Sequence, residues 1–92
     1  MKNNNPNYQL FQRSRQPLYL QLSTEFKSKI DKGEWSFNSQ IPSLEVLVET
    51  YGVSRMTLRQ ALTVLVEEGY IERSRGKGTF VRKKTPSVFE LQ

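Results

Sequence analysis

From Ser54 to Val81 the chain reads SRMTLRQALTVLVEEGYIERSRGKGTFV, and this stretch decides the architecture. Ser54 is a good helix N-cap, since its hydroxyl can accept from the free N–H groups of a first turn. A helix is expected from Arg55 to about Glu67, with Gly69 just beyond its end. At about 100° per residue, Leu58, Ala61, Leu62 and Leu65 fall on one side of it. Arg55, Met56, Arg59, Gln60 and Thr63 fall on roughly the opposite side. Two short strands follow, Tyr70 to Arg73 and Thr79 to Val81, around Ser74-Arg75-Gly76-Lys77-Gly78. Ile71 is expected to point inward with Phe80 nearby, closing the core over the helix.

Working backwards, Ser43 caps a second helix whose stripe is Leu44, Leu47, Val48 and Tyr51, stopped by Gly52. Only Val53 separates Gly52 from Ser54, so two helices meet through a tight glycine-bearing turn, the helix-turn-helix pattern. Such turns also join helices that never meet a nucleic acid. Pro42 biases Ile41 to extended geometry, and a very short strand is expected at Gln40 and Ile41. A first helix opens near Pro17, carries Tyr19, Leu22, Phe26 and Ile30 at spacings of three and four, and ends at Gly33. Trp35 and Phe37 are expected to cover the core from the loop after it. The fold class is therefore mainly α with a small β-hairpin.

Charge is unevenly placed. The chain has 92 residues and a net charge of +5, yet residues 1–51 hold six basic and five acidic side chains. Between Gly52 and Lys84 eight basic residues oppose three acidic ones, so this half should face a polyanion. The absence of cysteine excludes disulfides and thiolate metal sites, and the absence of histidine removes the commonest general base and metal ligand. Neither a catalytic arrangement nor a metal or cofactor site is expected. No apolar run approaches the roughly 20 residues that span a bilayer, and MKNNNPNYQLFQ has no secretory apolar core. A soluble cytoplasmic protein without a membrane partner is the expectation.

These features suit duplex DNA. An α-helix fits the major groove and reads base edges with its N-terminal half. Arg55 and Arg59 lie one turn apart there, and each can donate twice to guanine O6 and N7. Gln60 can pair with adenine, and Met56 or Thr63 can pack on a thymine methyl. For Gln60 and Thr63, phosphate contact or plain solvation is the simpler alternative. Ser43, Ser54, Thr57 and Arg73 suit phosphate oxygens. In the hairpin, Gly76 and Gly78 leave no Cβ in the way, so the backbone can approach a sugar-phosphate wall. Arg75, Lys77 and Thr79 flank it, and cations of this kind enter a narrow minor groove.

On PLYLQL at 17–22, IPS at 41–43, YGVSRMTLRQAL at 51–62 and EEGYIERSRGKGTFV at 67–81, the chain resembles the DNA-binding domain of the GntR family of bacterial transcription regulators, in its HutC-like form. The resemblance implies a winged helix-turn-helix in a dimeric repressor on a short inverted repeat. It also implies roles for Arg55 and Arg59 on DNA, Thr57 on phosphate, and Gly76 at the tip of the wing. One position departs from the family pattern, which usually follows Pro-Ser with Glu-Arg. Here those positions are Leu44 and Glu45. Glu45 favours the helix dipole but cannot bind phosphate, so a contact is expected to be lost and Glu45→Arg to tighten DNA binding. Glu45 accepting from cytosine N4 is the lesser alternative.

The division expected is an N-terminal arm over 1–16, a winged helix-turn-helix over 17–82, and a linker stub over 83–92. By resemblance, that stub leads to a dimerising domain that binds a small-molecule effector. A winged helix can alternatively bind RNA or act as a protein-interaction module. RNA binders stack bases on exposed aromatics, whereas the aromatics here mostly occupy core positions.

Overall fold

The computed structural model describes residues 16–83; all of the expected arm but Gln16, and all of the expected linker but Lys83, lie outside them. Within this range the order is α1 (Leu18–Asp31), α2 (Leu44–Tyr51), α3 (Arg55–Glu67), β1 (Ile71–Ser74) and β2 (Gly78–Val81). Pro17 stands before α1 with φ −54, and its carbonyl accepts from Leu20 and Gln21 N–H. Proline suits this position because the missing donor would have had no helical acceptor.

The helix boundaries follow from local chemistry. Ser43 Oγ accepts from Val46 N–H at 3.2 Å, and Ser54 Oγ accepts from Thr57 N–H at 3.1 Å. Gly52 ends α2 in the left-handed region at φ 65, with its N–H on Val48 O. That reversal lets α3 begin after a single further residue, Val53, which is itself buried. The helix-turn-helix is thus built from two serine caps and one glycine.

The core lies between the helices, with α1 packed most extensively on α3. Leu22, Phe26 and Ile30 of α1 meet Leu58, Ala61 and Leu65 of α3, all with no exposed surface. Burying each of the larger side chains contributes about 1.5–3 kcal/mol. Phe26 stacks on Trp35 at 5.1 Å between ring centroids and meets Tyr51 edge-on at 5.3 Å. Trp35 therefore covers the core as expected. Phe37 does not: it remains 41 % exposed.

Strands β1 and β2 pair antiparallel, with Ile71 opposite Val81, Glu72 opposite Phe80, Arg73 opposite Thr79 and Ser74 opposite Gly78. The inward partner of Ile71 is Val81, which is fully buried, rather than Phe80, which is only half-buried. The connecting loop is Arg75-Gly76-Lys77, shorter than the five residues expected from the sequence. The segment before α2 adds a third edge. Gln40 bridges Phe80, Ile41 N–H donates to Thr79 O, and Val81 N–H donates to Ser39 O, each of these hydrogen bonds at 2.9 Å. Strand β2 is consequently paired on both sides, and the hairpin is tied to the start of α2.

Candidate nucleic-acid interface

Side-chain alternation gives the hairpin two unlike faces. On one, Ile71 and Val81 seal the core, and Arg73 and Thr79 continue that face outward beside α3. Arg73 Nη2 donates to Thr63 Oγ1 at 3.3 Å, which joins the hairpin to the helix. On the other face, Arg82 Nε pairs with Glu72 at 2.7 Å, and its guanidinium lies 5.5 Å from the Phe80 ring centre.

Between α3 and the hairpin runs a groove of about 480 Å³ whose lining includes Ser43, Arg59, Thr63, Arg73, Gly78 and Thr79. Three elements distant in sequence therefore converge on one channel. Among the described residues, Arg59, Arg73, Arg75 and Lys77 have no carboxylate within salt-bridge distance. The basic residues that do have one include Lys27 with Glu68, Arg82 with Glu72 and Lys83 with Asp31. Lys83 also donates to the Tyr70 hydroxyl at 2.9 Å, and that contact raises its pKa. Arg82 and Lys83, counted in the sequence among the charges facing a polyanion, are thus partly occupied within the protein. Of the described cations without a carboxylate partner, Lys32 follows α1 and the other four lie on α3 and the hairpin.

Along α3, Met56 is 65 % exposed, and Arg55, Arg59 and Gln60 are exposed too. Met56, Arg59, Gln60 and Thr63 share a second, shallower depression with Tyr19 of α1. Thr63 is half-buried and its hydroxyl is engaged twice, donating to Arg59 O at 2.8 Å and accepting from Arg73. Its methyl is the part left to touch a ligand. Ser54 Oγ donates to Thr57 Oγ1 at 2.8 Å, so the Thr57 hydroxyl hydrogen is the one free to point outward.

The loop of the hairpin is exposed at Arg75, Gly76 and Lys77. Lys77 N–H closes it on Ser74 O at 2.9 Å, and Gly76 takes φ 75. A Cβ on Gly76 would meet nothing within 4 Å. The tip is therefore open to an incoming surface, and glycine is needed there for its backbone angle rather than for internal space.

Sequence reasoning missed one relationship. Glu45, read as a helix-start acid, accepts a hydrogen bond from Arg55 Nη1. That bond, aided by the guanidinium charge, holds the Glu45 carboxyl below the usual carboxylate range, and Arg59 adds in the same direction. The two residues stand ten apart on different helices, so no helical spacing rule links them.

Among the described residues no helix is long and apolar enough to cross a membrane. Residues 18–81 match the family model described as bacterial regulatory proteins, gntR family. The HTH-type transcriptional repressor NagR of Bacillus subtilis is 45 % identical over 67 residues, covering 73 % of this chain and 28 % of NagR. The histidine utilization repressor of Klebsiella aerogenes is 38 % identical over 78 residues, covering 83 % of this chain and 32 % of that protein. The chain thus spans less than a third of the length of these relatives. Among solved structures, AraR(DBD) in complex with operator ORX1 superposes with a TM-score of 0.68 at 38 % identity, covering 72 % of this chain and 80 % of that one. The fold is that of the winged-helix DNA-binding domains. Both relatives are named as repressors, and neither name denotes an enzyme.

Proposed function

The chain belongs to the gntR family of bacterial regulatory proteins, and from that premise we propose that it is the DNA-binding part of a transcriptional repressor. Residues 17–82 form the reading unit. Helix α3 enters the major groove with Arg55 and Arg59 on guanine, and Met56, Gln60 and the Thr63 methyl complete the base-facing surface. Ser43, Ser54, Thr57 and Arg73 contact phosphates, and the hairpin acts as a wing with Arg75, Gly76, Lys77, Gly78 and Thr79 at the minor groove.

One observation carries this reading: Arg59 and Arg73, neither with a carboxylate within salt-bridge distance, line one groove, and Arg75 and Lys77, equally without one, stand in the loop of the hairpin that bounds it. Placing them there costs self-repulsion that a polyanion would relieve. The AraR domain that superposes on this chain is described in complex with its operator, which supports duplex DNA as the ligand.

The histidine utilization repressors supply the support for a HutC-like subgroup. In that setting the protein acts in the cytoplasm as a homodimer on an inverted repeat. Residues after the wing lead into a domain that binds a small-molecule effector.

The test is selection of bound sites from random duplexes, followed by titration of the preferred duplex and of RNA of equal length at several salt concentrations. The expected result is a steep salt dependence with DNA and a preferred duplex bound about 10³-fold or more over random sequence. Equal affinity for RNA and DNA, or no selected sequence, would replace this reading with an RNA-binding or protein-interaction module.

A further inference from the structure

Glu45 and Arg55 are both open to solvent, with side chains 69 % and 48 % exposed. An exposed pair of this kind adds little to folding, so its consequence is geometric. It biases one guanidinium towards the start of α2 before any ligand arrives. Ser43 caps α2 and Ser54 caps α3, so the acid lies in the first turn of one helix and the arginine opens the next. An acid in a first turn is itself favoured by the helix dipole.

Two different acceptors compete for Arg55 when DNA binds. A phosphate is an anion, and at the donors still free on Arg55 it is repelled by the carboxylate already bound to the guanidinium. A guanine edge is neutral and presents two acceptors, O6 and N7. It needs only donors that Glu45 leaves unused, because guanidinium has five N–H groups and the observed contact is made through Nη1 alone. The pair therefore penalises binding to backbone anywhere while permitting binding to one kind of base edge.

We infer that Glu45 is a positioning residue that confers base selectivity on Arg55, suppressing its attachment to phosphate and presenting its free edge to guanine. This rests on the DNA-binding reading above and deepens it. It also changes the meaning of an acid at this position: an apparent loss of affinity becomes a gain in discrimination. Glu45→Arg raises affinity for every duplex, as expected from the sequence, and lowers the ratio between preferred and random ones.

The experiment uses the 92-residue chain, a duplex selected by the wild-type protein, the same duplex with single guanine pairs replaced, and a random duplex. Binding is measured for wild type, Glu45→Gln, Glu45→Ala, Arg55→Ala and the double variant Glu45→Ala/Arg55→Ala. For Glu45→Ala the expected result is a preferred-to-random ratio reduced about five-fold or more, chiefly through tighter random binding. Discrimination is lost at one guanine pair, the same pair affected by Arg55→Ala. Glu45→Gln, which keeps an acceptor of equal length, retains part of it. In the Arg55→Ala background the Glu45 substitution no longer changes the ratio.

A Glu45→Ala protein whose affinities for all duplexes shift by one common factor would overturn the inference. So would a Glu45 effect that persists undiminished without Arg55. A wild-type protein with no preferred duplex would instead overturn the DNA-binding reading itself, so the two failures are told apart.

Discussion

Gln40 occupies the space that a side chain on Gly78 would need. A Cβ at Gly78 would lie 2.2 Å from Gln40 Nε2 and 3.0 Å from its Cδ. The amide meanwhile donates to Lys77 O at 3.2 Å. One residue from the loop before α2 therefore lies against the base of the wing; glycine is required opposite it for its φ of 127, while the crowding falls on the movable end of the exposed Gln40 side chain. Gly78→Ala is expected to push the Gln40 amide off Lys77 and to destabilise the fold by about 1–3 kcal/mol through backbone strain and the lost bond. Urea unfolding followed by the single tryptophan, Trp35, measures this. Adding Gln40→Ala removes the clash but leaves the strain, so the double variant should not recover wild-type stability. Full recovery would show that crowding was the whole cost.

Gly76 provides the contrast. Its Cβ would meet open space, so Gly76→Ala should cost only the left-handed backbone penalty of about 1–2 kcal/mol. DNA affinity should nevertheless fall, because the new methyl projects from the exposed tip proposed to enter the minor groove. Binding that is unchanged once the protein is shown to be folded would remove the tip from the interface.

The limits of α3 were legible because three local signals agree there: a serine cap, helical spacing of apolar residues, and Gly69 after the end. The helix-turn-helix followed from the same kind of signal at Ser43, Gly52 and Ser54. The hairpin was legible with its register: the expected strand ends Arg73 and Thr79 do face each other, and the shorter loop only adds the pair Ser74–Gly78. Less legible was which apolar residue of β2 faces inward; alternation puts Val81, opposite Ile71, in the core and leaves Phe80 half-buried on the other face. Phe37 was misplaced because a loop has no period to tell which of its aromatics is covered; the structure sets Trp35 against Phe26 and leaves Phe37 exposed. The groove and the Glu45–Arg55 pair depend on how separate elements come together, which spacing along one element does not encode.

Phe26 has no exposed surface and touches both Trp35 and Tyr51 with its ring. Phe26→Ala should cost about 3–5 kcal/mol through lost burial and the cavity left behind. For so small a domain that is a large part of total stability, and the variant should be largely unfolded at moderate urea. Phe37→Ala, at an exposed site, should shift the midpoint by about 0.5 kcal/mol or less. Comparable losses at both positions would contradict the division between a covered and an uncovered aromatic.

Arg59 lines the groove and Lys77 stands in the exposed hairpin loop, and the two are proposed to do different work. Arg59→Ala should cost about 1–3 kcal/mol on the preferred duplex, with a smaller loss on random DNA, as should Arg55→Ala. Lys77→Ala should weaken all duplexes alike and reduce the slope of log affinity against log salt by about 1. Titrations at several salt concentrations separate the two outcomes. If both variants lost affinity equally on preferred and random DNA, Arg59 would be reading backbone rather than bases.

Tyr51 carries a prediction about alkaline pH. Burial, with Glu25 and Glu34 adding to it, pushes its hydroxyl pKa up from 10.0 to about 12. In the unfolded chain the same group ionises near its ordinary value of about 10. The folded state therefore binds the proton more tightly, and stability should hold below pH 10 and fall as pH rises towards 12. Absorbance titration should show a late tyrosine that appears only as the protein unfolds, and Tyr51→Phe should abolish that phase. The variant should also lose stability more gradually above pH 10, because its remaining dependence comes from other groups, including Lys83, whose pKa is raised by Tyr70. An unaltered alkaline profile in Tyr51→Phe would place the pH sensitivity at the Lys83–Tyr70 contact instead.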